Sequence, residues 1–258
     1  MITNYHRPQT LDEALALLSQ PNTVPLGGGT LLSHASPDPV SVVDLQALGL
    51  NYLRPKGNTL EIGATVTLQQ LLESEYCPPA LKTAIKLEAP LNLRNTATVA
   101  GTLVTCDGRS TFACAMLALD AKLSVVSDQL SVIGIGEFLP LRPRGLITQI
   151  VIPLNVHFAF EYVARTPSDK PIVCAALTQW NSGRTRLALG GWGKSPSLAM
   201  DGDLPPSPSG RGNEGEGLTA AARNACHEAA DEFASAEYRM DVAAILAKRC
   251  LAGIPINP

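Results

Sequence analysis

Two stretches of this chain combine residue types that can hold a charged ligand without any acid, base or nucleophile. The first is Pro25-Leu26-Gly27-Gly28-Gly29-Thr30-Leu31-Leu32. Three consecutive glycines after a strand allow a tight turn and a close backbone approach to a ligand. Their N–H groups can converge into a nest for an anion such as a phosphate. Thr30 adds a hydroxyl donor. The same loop would also serve as a tight strand-to-helix turn with no ligand. It matches neither GxGxxG nor GxxxxGKS/T, so neither a Rossmann fingerprint nor a Walker loop is expected. The second stretch is Arg94-Asn95-Thr96-Ala97-Thr98-Val99-Ala100-Gly101-Thr102, small, rich in hydroxyls and free of carboxylates. Thr98, Thr102 and the backbone around Ala100 and Gly101 could meet phosphate oxygens, or pack as a loop against a sheet.

Other chemistries find little support. The six cysteines, Cys77, Cys106, Cys114, Cys174, Cys226 and Cys250, form no CxxC pair. That spacing predicts reduced, buried thiols and neither zinc nor an iron–sulfur cluster. His6, His34, His157 and His227 never fall at ligand spacing, so no metal site is expected. Ser33 and His34 are neighbours in sequence, which does not make a triad geometry. Arg165 and Asp169 read as a solvated salt-bridged turn. Trp180 and Trp192 read as packing residues rather than flavin-stacking ones.

The elements that must position the two loops are legible in outline. Of 258 residues, 45% are hydrophobic and 17% charged, which is a globular composition, and the net charge is −3. No basic field is available for nucleic acid. No apolar run reaches membrane-spanning length, and Met1 to Arg7 has no signal-peptide core, so a cytoplasmic location is expected. Thr10-Leu11-Asp12-Glu13 reads as a capping box before a helix with Leu11, Ala14, Leu15 and Leu18 on one face. Strands are predicted at Thr23 to Leu26, Ser41 to Leu45 and Thr59 to Ala64. Arg54 to Asn58 reads as a polar break. Helices are predicted at Thr67 to Ser74, Pro79 to Leu87 and Phe112 to Asp120. Asn95 to Thr105 shows no helical periodicity. Strands follow at Lys122 to Ser127, Leu130 to Ile135 and Leu146 to Ile152. An antiparallel meander then runs through Phe158 to Ala164, Val173 to Trp180 and Thr185 to Leu189, with Asn181-Ser182-Gly183 as a turn. Residues 201–217, rich in Gly, Pro and Ser, read as a flexible connection. Helices from Leu218 to Phe233 and Ala236 to Leu251 close the chain. The second is capped by Ser235, stopped by Gly253 and Pro255, and expected to bury Tyr238, Val242, Ile245 and Leu246. The fold class is α+β.

Taken together, the loops resemble those of the FAD-binding medium subunit of the molybdenum hydroxylases, the carbon monoxide and xanthine dehydrogenase family. There an A-G-G-T loop and a later R-N-x-A-T-x-G-G-N loop grip the FAD pyrophosphate. The likeness covers nearly the whole chain. Tyr5-His6-Arg7-Pro8 with Leu11-Asp12-Glu13-Ala14 is similar to the family's opening helix. Val43-Asp44-Leu45 and Leu60-Glu61-Ile62-Gly63-Ala64 are similar to its next strands. Met116-Leu117-Ala118-Leu119-Asp120-Ala121 resembles the helix after its second loop. Leu146-Ile147-Thr148 with Ile150-Val151-Ile152-Pro153 resembles its G-E-L-I-x-x-I-x-I-P strand, and Ser235-Ala236-Glu237-Tyr238-Arg239 its C-terminal helix start.

The resemblance implies a two-subdomain FAD-binding fold (PCMH-type), at residues 1–55 and 56–154, followed by a C-terminal sheet-plus-helix subdomain at 155–258. FAD would lie between the first two. Pro25, Leu26, Gly27, Gly28, Gly29, Thr30, Leu31 and Leu32 would wrap its diphosphate. Thr98, Val99, Ala100, Gly101 and Thr102 would hold the other side and the ribitol. Leu146 would pack against the flavin or adenine. Departures from the family pattern imply weaker hold. Ala100 and Thr102 stand in place of glycine and asparagine. Thr111 stands in place of an aspartate for which Asp107 would substitute, and Tyr162 in place of a lysine. The implied role is electron relay, from iron–sulfur clusters on a small subunit served by a molybdopterin-binding large subunit, to NAD, a quinone or oxygen. The alternative is an FAD-free assembly subunit of such a complex. The three-glycine loop also resembles the flavin reductase that makes UDP-N-acetylmuramate, but that enzyme's C-terminal proton donor and acidic partner have no counterpart here.

Overall fold

A computed structural model describes residues 1–33, 38–127, 129–204 and 215–254 of the chain. The first sheet has three parallel strands in the order β1-β3-β2, from β1 (Ile2–His6), β2 (Thr23–Leu26) and β3 (Val40–Asp44). Helix α1 (Leu11–Leu18) crosses between them. Thr10 Oγ1 caps α1 by accepting from Glu13 N, while the Glu13 carboxylate reaches back to Gln9 N rather than to Thr10. Ala14, Val43 and Leu45 form the small core beneath α1, and Leu146, from a strand a hundred residues downstream, completes it.

The central sheet is antiparallel, in the order β4-β5-β8-β6-β7, from β4 (Leu53–Lys56), β5 (Thr59–Gly63), β6 (Lys122–Val126), β7 (Leu130–Gly134) and β8 (Leu146–Pro153). Around it lie α2 (Leu68–Glu73), α3 (Pro79–Glu88), α4 (Leu91–Arg94), α5 (Val99–Thr105), α6 (Thr111–Ala118) and α7 (Ile135–Leu141). Every residue of α6 is buried, because TFACAMLA is apolar all round and packs between α3 and the third sheet. That third sheet is the expected meander, in the order β12-β11-β10-β9, from β9 (Val156–Val163), β10 (Val173–Trp180), β11 (Thr185–Gly190) and β12 (Ser197–Gly202). Helices α8 (Glu216–Ala225) and α9 (Ala236–Ala252) close it, and the class is α+β.

Several expectations are corrected. Arg54 to Asn58 is a β-hairpin joining β4 to β5, so β4 crosses the expected division at 55/56. Asn95 to Thr105 is not wholly irregular: its second half is α5, capped by Thr98, whose hydroxyl accepts from Gly101 N. Three-residue periodicity is invisible there because the helix has only seven residues. The expected helix to Phe233 stops at Ala225. Beyond it the chain bends around a guanidinium and Asp231 accepts from the Phe233 and Ala234 amides. Helix α9 buries Arg239, Ala243, Leu246, Ala247 and Cys250, while Tyr238 and Ile245 face solvent. Residues 205–214 of the expected flexible connection, His34 and Pro255 lie outside the described residues.

Two charge networks hold the third sheet in place. Arg239 is fully buried. It donates to the carbonyls of Ile172 (3.3 Å), Gly191 (3.5 Å) and Ala229, and to both oxygens of Asp231 (2.7 and 2.8 Å). Arg186 caps the end of α6 by donating to Leu117 O (2.9 Å) and pairs with Asp120 and Asp201 at 2.9 and 2.8 Å. Arg184 joins the same carboxylates. Its hydrogen bonds, followed by the nearby Arg186 charge, outweigh desolvation and hold the Asp201 carboxyl below its ordinary value.

Arg239→Ala strips every donor from a buried hole and leaves Asp231 facing it. The expected cost is about 3–5 kcal/mol, read as a lowered urea midpoint. Arg239→Lys restores only part, because an ammonium lacks the planar fork. For Asp201 the sign follows from its depressed pKa. Its contribution is fully present above the unfolded carboxylate value of about 3.9 and is lost as pH falls through the lower folded value. Thermal unfolding between pH 5 and 2 should therefore show a steeper loss of stability in the unaltered chain than in Asp201→Asn.

Candidate functional site

The glycine loop begins where β2, an edge strand of its sheet, ends at Leu26. Leu26 O still accepts from Leu45 N at 3.1 Å, but none of the amides from Gly27 to Leu32 has an acceptor among the described residues. Among the described residues, these six consecutive N–H groups are thus left without a partner. The loop keeps its shape through Ser33 N donating to Gly29 O (2.9 Å) and Gln46 Nε2 donating to Gly27 O (3.3 Å). Gln46 is in turn set by buried Asp44, which accepts from Gln46 N at 2.9 Å and from the Tyr5 hydroxyl. That hydrogen bond raises the Tyr5 pKa, with burial and the Asp44 charge adding to it, so the phenol stays a donor.

Each of the three glycines has a separate reason. A Cβ on Gly27 would lie 2.9 Å from Thr98 Oγ1, and one on Gly28 would lie 1.7 Å from the Thr96 carbonyl oxygen. Gly29 has φ of 71°, a left-handed conformation that favours glycine. Gly27 and Gly28 therefore let the first loop lie directly on the second. The ligand is not the group they make room for.

The second loop is equally fixed. Leu68 N donates to Ala97 O (2.9 Å) and Val99 N to Val66 O (2.8 Å). Arg94 holds its approach through Gln69 Oε1 (3.0 Å) and Ala89 O (2.7 Å). In the first turn of α5 the Gly101 and Thr102 amides are taken by Thr98, which leaves the Ala100 N–H without an acceptor among the described residues. Alanine in place of glycine costs nothing here, because residue 100 is helical. At its other end α5 is held by Arg142, which donates to Leu103 O, Val104 O (3.1 Å) and Cys106 O (2.9 Å).

Between the loops lies an apolar cleft of about 320 Å³ with no charged residue among its described lining. It brings together Pro25, Gly27, Gly28, Gly29, Thr30, Leu31, Leu32, Thr98, Ala100, Gly101 and Leu146 as expected. Unpaired amides, two glycine contacts and no carboxylate make a cradle that fits a diphosphate flanked by apolar groups. A smaller, polar compartment of about 180 Å³ opens beside it, lined by Glu88, Thr102, Thr105, Cys106, Asp107 and Lys170 among others. Thr30 and Thr105 line both.

Other expected residues lie off the apolar cleft. Leu26 does not line it, and Val99 is fully buried in the central core. Thr102 turns its hydroxyl back onto Thr98 O (2.9 Å) and faces the polar compartment, as does Asp107. Thr111 is buried, with its hydroxyl donating to Ala84 O at 2.7 Å. Tyr162 sits on β9 beside Phe160 and lines neither space. Trp192 packs beside the buried Arg239 guanidinium, 5.7 Å from the ring centre. Burial pushes the Cys77, Cys226 and Cys250 thiols up to about 12, so none is a nucleophile at neutral pH.

Sequence reasoning missed Val24, Leu45, Ala64, Val104, Thr105, Gly145 and Ile147. A helical reading of residues 100–105 would have found Val104, since i and i+4 share a face. Gly145 carried its own signal: φ is 148°, and a Cβ there would lie 2.5 Å from Val125 Cγ1.

Residues 1–155 match the family model described as the FAD binding domain in molybdopterin dehydrogenase. An uncharacterised protein of Escherichia coli K12, YgfM, is 27% identical over 95% of this chain and 94% of its own length. The glyceraldehyde dehydrogenase medium chain of Sulfolobus acidocaldarius is 28% identical over 77% and 78%. In fold, the chain superposes on carbon monoxide dehydrogenase from Hydrogenophaga pseudoflava with a TM-score of 0.81, covering 98% of this chain and 97% of that one at 22% identity.

Gly28→Ala tests the loop-on-loop contact. The overlap with Thr96 forces the loops apart at a cost of about 1–3 kcal/mol. FAD, the ligand expected from the resemblance, should bind about tenfold more weakly, read by quenching of flavin fluorescence. Unchanged affinity would sink the cradle assignment.

Proposed function

We infer the function from one premise: this chain belongs to the family of FAD-binding domains in molybdopterin dehydrogenases. It is an oxidoreductase chain and its cofactor is FAD. Beyond that we propose that it is the electron-transfer subunit of a molybdenum hydroxylase-type complex. Its partners would be a molybdopterin-binding large subunit and an iron–sulfur small subunit, and its acceptor NAD or a quinone. The observation that carries this reading is the cradle itself: the amides from Gly27 to Leu32 and that of Ala100 have no acceptor among the described residues, and their residues line one cleft with no charged residue in its described lining. It offers much to hold a dinucleotide and no acid or base for substrate chemistry.

FAD, when bound, supplies the redox chemistry by accepting and returning electrons. The chain's own residues bind and orient. Gly27 to Leu32 and Ala100 would donate backbone N–H groups to the diphosphate. Thr98 caps α5 and keeps that turn open to the cleft. Leu146, Ile147 and Leu45 supply an apolar wall that excludes water. Thr30 lines both compartments, and its hydroxyl would be a further donor to the ligand. The proposed partners agree with the names of relatives, which include medium chains of carbon monoxide and glyceraldehyde dehydrogenases. Among the described residues no helix is long and apolar enough to cross a membrane, which is compatible with the expected cytoplasmic location.

A visible spectrum of the purified chain, followed by chromatography of the released cofactor, tests the reading. The expected result is the two bands of oxidised flavin, FAD on denaturation, and no oxidation of organic substrates by the chain alone. A colourless chain that takes up no added FAD would favour an assembly role. Substrate turnover without partners would overturn the relay role.

A further inference from the structure

The polar compartment contains the only cation that lines either space among the described residues, Lys170. Its ammonium lies 3.5 Å from Asp107 Oδ1, and both side chains are about half exposed at the open side. The other carboxylate there, Glu88, is committed: its Oε2 accepts from Ser110 Oγ (2.8 Å), Thr111 Oγ1 (3.3 Å) and Phe112 N (2.9 Å). Lys170 and Asp107 are thus the half-exposed charges of the site, paired with each other. Their backbones are nonetheless firmly placed. Arg109 donates to Lys170 O (2.8 Å) and Pro171 O (3.4 Å), its own amide donates to Asp107 Oδ1 (2.9 Å), and its guanidinium stacks on Phe233 at 4.2 Å. Gly108, between Asp107 and Arg109, donates to Gly193 O (3.0 Å) and accepts from Gly191 N (2.7 Å) in the loop that follows β11.

We propose that Lys170 and Asp107 form a charge pair that sets the reduction potential of the bound flavin, Lys170 raising it and Asp107 lowering it. This rests on the FAD reading above. The apolar cleft, uncharged and walled by Leu45, Leu146 and Ile147, suits the adenosine end. The compartment with Thr102, Thr105, Asp107 and Lys170 suits the isoalloxazine ring, whose pyrimidine half carries carbonyl and N–H groups. Reduction adds negative charge to the ring. A fixed cation beside it favours the reduced form and a fixed carboxylate disfavours it. The diphosphate has its own amide donors, so Lys170 is not needed to hold phosphate. Lys170 and Asp107 are positioning residues in this account, since neither exchanges an electron or a proton.

The test uses the FAD-loaded 258-residue chain, with the midpoint potential read by spectroelectrochemistry and FAD affinity by fluorescence. Lys170→Gln should shift the oxidised–reduced equilibrium about tenfold toward the oxidised form, about 30 mV for two electrons. Asp107→Asn, which keeps an acceptor for Arg109 N, should shift it about tenfold the other way. Lys170→Arg, which keeps the cation, should stay near the unaltered value, and FAD affinity should change less than threefold in all three. Lost affinity with an unchanged potential would mean that Lys170 holds phosphate and would overturn the proposal. Equal potentials in all variants with binding intact would overturn it alone. Failure of the unaltered chain to bind FAD would overturn the FAD reading and this inference with it.

Discussion

Gly28 and the carbonyl of Thr96 lie so close that one added carbon would sit 1.7 Å from the oxygen. Everything about the cleft depends on that approach. It lets the first sheet's loop rest on the second loop without a side chain between them. Gly27 to Leu32 and Ala100 then line the same cleft. Gly27 does the same work against Thr98, whose hydroxyl caps α5. The glycines are thus structural in cause and functional in result: they close two units of the fold onto each other and leave backbone donors as the lining.

A second close approach fixes the polar end of the site. A Cβ on Gly108 would lie 1.6 Å from Trp192 O, so the loop carrying Asp107 lies directly on the loop that joins β11 to β12. Buried Arg239 holds the facing strand ends by taking the carbonyls of Ile172 and Gly191, and Arg186 holds the end of α6 through Leu117 O. Arg142 does likewise for the end of α5. Three guanidiniums therefore satisfy carbonyls where elements end, that of Arg239 wholly buried and that of Arg142 partly exposed. The site inherits its rigidity from these contacts, because it is built on the ends of elements that each arginine pins.

The function follows from how little reactive chemistry the cleft contains. Its described lining has no charge, and elsewhere in the chain burial pushes the Cys77 and Cys226 thiols up. Such a wall can bind and shield a redox cofactor but cannot itself transfer a proton. Beside it, the smaller polar compartment carries the half-exposed side chains of Asp107 and Lys170.

The sequence alone determined the local pieces. The strands of the meander, the Ser235 cap, the three-glycine loop and the threonine-rich loop follow from patterns a few residues long, and such patterns are what propensity and turn chemistry encode. Their joint resemblance to one family also came from sequence. What the tertiary structure decided was which residues meet. It hid Thr111 against Ala84, turned Thr102 back onto its own helix and put Tyr162 on a strand away from both spaces. It buried Arg239 where a hydrophobic face was expected, and it set Lys170 across from Asp107, 63 positions earlier in the chain. Contacts of that range depend on the closure of whole sheets and helices. No window of neighbouring residues carries the information, because the energy that selects them is shared among elements distant in sequence.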